Sequence, residues 1–230
     1  MHLHQFPDRE SLVVDLTTQI ADLLTTGIAK YGKASLAVSG GSTPVHLFEY
    51  LSTLDISWHD VVITLVDERW VEPSDEDSNE RLIKTHLLRN KAAAATFIGM
   101  KNAAVTAGEG EAECEQRLQN VPRPFDVLIL GMGGDGHTAS LFPGAKKLTA
   151  ATDMQSGRTC MGLAPLTAPH ERMSLTLPAI LDSRHIFLHI TGQEKKDVLE
   201  KALSDGPIAE IPIRFVLRQQ TTPLSVYWAP

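Results

Sequence analysis

Three short polar stretches carry residue types that can do chemistry, and each follows a run of apolar residues. Ser39–Pro44 (SGGSTP) offers two glycines and two hydroxyls. Gly40 and Gly41 let backbone N–H groups approach an anion, and Ser42 and Thr43 add hydroxyl donors. No lysine follows the glycines, so this is not a Walker loop; the plainer alternative is a tight turn with a helix cap. Asp67–Trp70 (DERW) puts three charged groups directly after VVITLV. Alone it reads as the start of a solvated loop. Beside the other stretches, Arg69 becomes a candidate for an anionic substrate group or a developing oxyanion. Gly131–Gly144 (GMGGDGHTASLFPG) sets Asp135 and His137 inside a glycine cluster.

That third stretch has two competing readings. Gly131, Gly133 and Gly136 match the G-x-G-x-x-G spacing of a dinucleotide-binding turn. However, Asp135 would set a negative charge near the pyrophosphate, and Pro143 and Gly144 interrupt any helix almost as it starts. Asp153 is near the right distance for a ribose contact, but no strand precedes it. The nicotinamide reading is therefore rejected. An isolated D-G-H could be simple turn chemistry; here it sits at a strand end beside two other polar strand ends.

The elements that must hold these stretches follow from periodicity. Ser11–Tyr31 has helical spacing of apolar residues, with Gly32 as a stop. Buried strands are predicted at 34–38, 61–66 and 126–130, with further strands at 173–177, 185–190 and 225–228. Helices are predicted from Pro44 to about Leu54, and over 79–88, 109–118 and 193–203. Pro44 falls in the first turn of its helix, after the capping types Ser42 and Thr43. Strands alternate with helices and are apolar throughout, the pattern of an open, mostly parallel sheet covered on both faces, a Rossmann-like α/β fold. In such sheets ligands bind beyond the carboxyl ends of the strands, so three separate motifs can converge on one crevice. A single α/β domain over residues 1–230 is expected.

The bulk properties narrow the function classes. The chain has 230 residues, 43% of them hydrophobic, and a formal net charge of −7. That balance argues against nucleic acid as a partner. Two distant cysteines, Cys114 and Cys160, make neither a disulfide framework nor a zinc pattern and suit a reducing, cytoplasmic setting. No signal peptide is visible, and no apolar run of membrane-spanning length is expected. His2 and His4 read as a frayed terminus, His185 and His189 as structural, and Asp75–Asp77 as a solvated loop from which Ser78 and Asn79 could turn back toward a pocket.

Taken in order, AVSGGSTP, LVDERWVEPSDEDSN, FDVLILGMGGDGHTASLFPG, PHERMSLTLPAI and TGQEKK resemble the 6-phosphogluconolactonase family, from Ala37 to Lys196. The resemblance implies hydrolysis of 6-phosphoglucono-δ-lactone in the oxidative pentose phosphate pathway, with no metal or organic cofactor. It implies His137 as the catalytic residue with Asp135 beside it, and Arg69 near the reacting carbonyl or the phosphate. Gly40, Gly41, Ser42, Thr43, Asp67, Arg172 and Lys195 are then the expected substrate and phosphate contacts. The expected partner is a small sugar-phosphate lactone, with no nucleic acid and no membrane. Arg172 precedes its predicted strand, so its presence at the site rests on the resemblance alone.

Two alternatives remain open at this point. Deaminases of the same wider group follow D-G-H with a Glu that assists proton transfer; the aligned residue here is Phe142, and no carboxylate lies between Asp135 and Asp153. A non-catalytic sugar-phosphate sensor would not need Asp135 and His137. A helix starting near His137 would keep its imidazole neutral, whereas Asp135 would orient the ring or raise its basicity.

Overall fold

The apolar segments become the inner strands of a seven-stranded parallel sheet in a computed structural model that describes residues 1–166 and 168–230. The chain opens with β1 (His2–Gln5) and α1 (Arg9–Tyr31); Asp8 caps α1 by accepting from the Ser11 N–H, and Gly32 ends it at φ 78°. There follow β2 (Ala34–Val38), α2 (Val45–Leu51), β3 (Val61–Leu65), β4 (Asp67–Arg69), α3 (Asn79–His86) and β5 (Thr96–Ile98). The middle of the chain forms α4 (Glu111–Leu118), β6 (Val127–Leu130), α5 (Leu148–Ala151), β7 (Cys160–Leu163), β8 (Arg172–Leu175) and α6 (Leu177–Leu181). The last elements are β9 (Ile186–Thr191), α7 (Gln193–Leu203), α8 (Arg214–Leu217) and β10 (Leu224–Ala229).

The main sheet runs β1-β10-β9-β6-β2-β3-β5, with every neighbouring pair parallel. β2, β3 and β6 are buried along their whole length, which explains why they read as largely apolar runs interrupted only by Ser35 and Thr64. From β2 the chain moves outward to β3 and β5 on one side, and from β6 it moves outward to β9 and β10 on the other, so a crevice opens beyond the carboxyl ends of β2 and β6. A second, antiparallel sheet, β4-β8-β7, stands at that end of the molecule. Val66 joins the two sheets: its N–H donates to the Val38 carbonyl (2.9 Å) and its carbonyl accepts from the Leu175 N–H (2.8 Å). Buried side chains of both sheets form one continuous core.

Several expectations are corrected. Asp67–Arg69 is strand rather than loop, and the segment around Met173 pairs antiparallel with it instead of joining the main sheet. His2–Gln5 is an ordered edge strand, with the His4 ring stacked on Tyr227 at 4.7 Å. The second helix ends at Leu51 rather than Leu54, and Pro44 sits at its N-cap with no side-chain cap. The short strands β5 and β7 carry too little pattern to be seen in sequence. The 23-residue α1 is long and apolar enough to cross a membrane by length and composition alone. Here it lies across β2, β6 and β10 with Leu12, Leu16, Ile20 and Leu24 buried on one stripe.

Leu16 is wholly buried in that stripe. Leu16→Ala is expected to destabilise the protein by about 2–5 kcal/mol, read from the shift of the urea unfolding midpoint at constant slope.

Candidate active site

The three polar stretches meet at the crevice because hydrogen bonds tie the strand ends to one another. Ser39, the first residue past β2, donates its hydroxyl to the Ile129 carbonyl (2.9 Å) and accepts from the Gly131 N–H (3.1 Å). The tip of β2 is thereby fastened to the start of the glycine loop after β6. Thr138 closes that loop from its far side by donating to the Gly131 carbonyl at 2.8 Å. Inside the loop, the Gly133 N–H donates to the His137 carbonyl and the Gly136 N–H to the Gly133 carbonyl, at 2.8 and 3.0 Å. Gly136 adopts φ 78°, a left-handed conformation suited to glycine.

His137 is held on two sides. Asp135 Oδ1 accepts from the His137 backbone N–H (3.0 Å) and lies 2.6 Å from Nδ1 of its ring. The ring stacks on Phe142 with centroids 4.0 Å apart and planes at 24°. Burial pushes the Asp135 carboxyl upward, but the His137 ring and backbone N–H outweigh it and hold the group below its ordinary value. An ionised Asp135 accepts a hydrogen bond from Nδ1–H, the tautomer that leaves the imidazole lone pair on Nε2. No helix begins at His137: the next one is α5, at Leu148. The expected helix-dipole influence is therefore absent, and Asp135 is the group that orients the ring.

The second sheet supplies the positive charge. Alternation along β4 turns Glu68 away from Asp67 and Arg69. Glu68 is fully buried; its carboxylate accepts from the backbone N–H groups of Arg69, Asn79 and Glu80 at 2.7–2.8 Å. Burial raises this carboxyl to about 7, against the pull of those three N–H donors. Anchored in this way, Arg69 faces Arg172 directly across the β4–β8 pair. Like charges so opposed repel, and each guanidinium is steadied elsewhere. Arg69 Nη1 donates to the Asp77 carbonyl (2.6 Å), and an Arg172 Nη2 donates to the Pro169 carbonyl (3.1 Å). Arg172 is 6% exposed and its Nε has no partner among the described residues. Burial lowers its proton affinity and Asp67 restores part of it.

A cavity of about 350 Å³ gathers these groups, within the size range of small-molecule sites. Of the residues expected at the site, Gly40, Gly41, Ser42, Thr43, Asp67, Arg69, His137, Arg172 and Lys195 all line it. Asp135 does not line it but contacts His137, which does. Asp67 is already engaged, accepting from the Ser140 hydroxyl at 2.6 Å. The position of Arg172, unexplained by a purely parallel sheet, follows from the antiparallel pairing of β8. Gly41 has φ 90°, and a Cβ on Gly40 would overlap the Asn79 side chain. Among the described residues, the Ser42 and Thr43 hydroxyls do not cap α2. Lys195 stands in the first turn of α7, where a cation opposes the helix dipole, a placement that suits an anion in the adjoining cavity. Asn79 also lines the cavity and donates to the Asp67 carbonyl (2.8 Å), as its position after the acidic loop allows. His189, read from sequence as structural, lines it too. The usable signal was its place at the carboxyl end of a parallel strand.

The family model described as glucosamine-6-phosphate isomerases/6-phosphogluconolactonase matches residues 7–228. The chain belongs to this family. It is 42% identical to the 6-phosphogluconolactonase of Rhizobium meliloti over 229 residues, covering 100% of this chain and 99% of that protein. It is 43% identical to that of Mesorhizobium japonicum, covering 98% and 94%. The crystal structure of a 6-phosphogluconolactonase from Shewanella baltica superposes with a TM-score of 0.98 at 46% identity, covering 100% of this chain and 98% of that one. A monomeric glucosamine-6-phosphate deaminase, 17% identical with a TM-score of 0.81 over 100% and 97% of the two chains, shares the fold alone.

A Cβ on Gly133 would lie well inside van der Waals contact distance of His137 Nδ1 and of Asp135 Oδ1. Gly133→Ala is expected to displace the imidazole and lower the turnover of this lactonase-family enzyme about 100-fold, with the far-ultraviolet circular dichroism spectrum unchanged.

Proposed function

We propose that this chain hydrolyses 6-phospho-D-glucono-1,5-lactone to 6-phosphogluconate by His137-assisted attack of water on the lactone carbonyl. The observation that carries this reading is the Asp135–His137 pair, 2.6 Å apart at the rim of a cavity that also holds Arg69, Arg172 and Lys195. A lactone that carries a phosphate needs both halves of that arrangement: fixed cations for its phosphate and one base for its water.

In this reading the phosphate rests against the Gly40–Thr43 turn with Arg172 and Lys195, and the lactone carbonyl lies toward His137 and Arg69. Nε2 of His137 takes a proton from water as the water oxygen bonds to C1. The carbonyl oxygen gains negative charge, which Arg69 or a glycine N–H stabilises. As the ring C1–O bond breaks, the imidazolium returns its proton to the departing ring oxygen, which becomes the C5 hydroxyl. The new carboxylic acid ionises to solvent. Asp135 keeps its charge throughout and stabilises the imidazolium between the two transfers. General-base assistance accounts for roughly 10²–10⁴-fold of the rate, and one oxyanion donor for about 3 kcal/mol of the barrier.

Phe142 favours this reaction over deamination of an amino sugar phosphate. Its ring packs face to face on His137, at the position where the resemblance to deaminases calls for a proton-shuttling Glu. Lactone hydrolysis needs proton transfer at one water and one leaving oxygen, so an apolar neighbour suffices. A sugar-phosphate sensor is the weaker reading, since binding alone gives no reason to orient an imidazole with a carboxylate.

The assay is rapid hydrolysis of freshly prepared 6-phosphogluconolactone, with spontaneous opening subtracted and glucosamine 6-phosphate as the rival substrate. Turnover of the lactone and none of the amino sugar is expected; the reverse result ends the proposal. His137→Ala should remove about 10²–10⁴-fold of kcat while barely changing the affinity for 6-phosphogluconate. Arg69→Ala should both raise KM and lower kcat, and unchanged values for both would take Arg69 out of the site.

A further inference from the structure

Ser140 follows His137 in the glycine loop, is wholly buried, and bonds to both long strands of the arginine-bearing sheet. Its hydroxyl donates to Asp67 Oδ2 at 2.6 Å, and its backbone N–H donates to the Ser174 hydroxyl oxygen at 3.2 Å. The Ser174 hydroxyl in turn donates to the Leu175 carbonyl at 2.9 Å. Asp67 and Ser174 oppose each other in the β4–β8 register, as do Arg69 and Arg172 two positions along. Side chains two apart on a strand share a face. Ser140 is therefore docked on the face of the small sheet that presents both guanidiniums to the cavity. Just past Ser140 comes Phe142, whose ring stacks on His137 at 4.0 Å and lies 5.9 Å from the Arg172 guanidinium carbon.

The backbone between His137 and Ser140 is held under strain. Ala139 lines the cavity with φ 47°, a left-handed conformation that disfavours a residue with a Cβ. Such conformations persist where the surroundings over-determine them, and they gather at functional sites. Both neighbours of Ala139 are pinned here. The Thr138 hydroxyl donates to the Gly131 carbonyl at the end of β6, on the main sheet, while Ser140 is fastened to β4 and β8. The segment that carries His137 is thus stretched between the two sheets. Ser140 itself does not line the cavity.

We propose that Ser140 is a positioning residue of this site: its buried hydroxyl fixes the imidazole of His137 at working distance from Arg69 and Arg172. It touches no substrate and acts through the spacing of groups that do. The proposal rests on the lactone-hydrolysis reading above and names the contact that spaces its base from its cations.

The test compares wild type with Ser140→Ala, which removes the hydroxyl and keeps the backbone N–H. kcat for the lactone is expected to fall about 10-fold, within what a small misplacement of reacting groups costs. KM should stay within about twofold, because the Gly40–Thr43 turn and Lys195 hang on the main sheet. Leu16→Ala, destabilised at a core position outside the cavity, controls for lost stability and should keep kcat within about twofold. The crystal structure of Ser140→Ala should show Ala139 relaxed out of the left-handed region and the imidazole shifted by about 1 Å relative to Arg69. Ser174→Ala, which takes away the acceptor of the Ser140 N–H, should lower kcat in the same direction and replaces the first variant should that one not fold. A kcat within twofold of wild type, an equal loss in Leu16→Ala, or an unmoved imidazole would each overturn the proposal. The imidazole position is read without any reaction, so a wild type that leaves the lactone intact ends the hydrolysis reading alone and not this test of geometry.

Discussion

Glu68 is fully buried and its carboxylate gathers three backbone N–H groups, two of them from the first turn of α3. A buried carboxylate is expensive to hold unless its oxygens are filled by donors, and the first turn of a helix has N–H groups with no partner inside the helix. Each solves the other's difficulty. The consequence reaches the cavity because side chains alternate along a strand: with Glu68 pinned inward, Asp67 and Arg69 must face the opposite side. The same α3 start brings Asn79 against Gly40 and onto the Asp67 carbonyl. One buried interaction thus sets the positions of groups from two sheets and a helix.

The electrostatics of the cavity run against those of the chain as a whole. A protein of net charge −7 concentrates Arg69, Arg172 and Lys195 around one opening. Arg69 and Arg172 oppose each other across neighbouring strands, and Arg172 is nearly buried with an unpartnered Nε. An anion between them would relieve the repulsion. The Asp135–His137 pair differs: it is complete in itself, its ring held by a carboxylate and a Phe142 face, and therefore already oriented for proton transfer.

Family membership and geometry bear on different questions. The family unites isomerases and lactonases, and the shared fold extends to a deaminase that is only 17% identical. Fold alone therefore does not choose the reaction. The local difference is at Phe142, whose ring stacks on the imidazole of His137.

What the sequence determined by itself is local. Continuous apolar runs mark β2, β3 and β6, a 3.6-residue stripe marks α1, and glycine clusters at strand ends mark where loops approach a ligand, because each signal is a property of adjacent residues. The residue types at Ser39–Pro44, Asp67–Arg69 and Asp135–His137 were legible as site candidates for the same reason. The tertiary structure alone decided that Asp67–Arg69 is a strand, that Arg172 faces Arg69, and that Glu68 serves α3. It also replaced the helix dipole expected at His137 with Asp135. Those outcomes depend on pairings between segments up to about a hundred residues apart, and a short strand such as β4 has too few residues to announce a partner. Its state is set by the carboxylate, amides and guanidinium that meet only once the chain has folded.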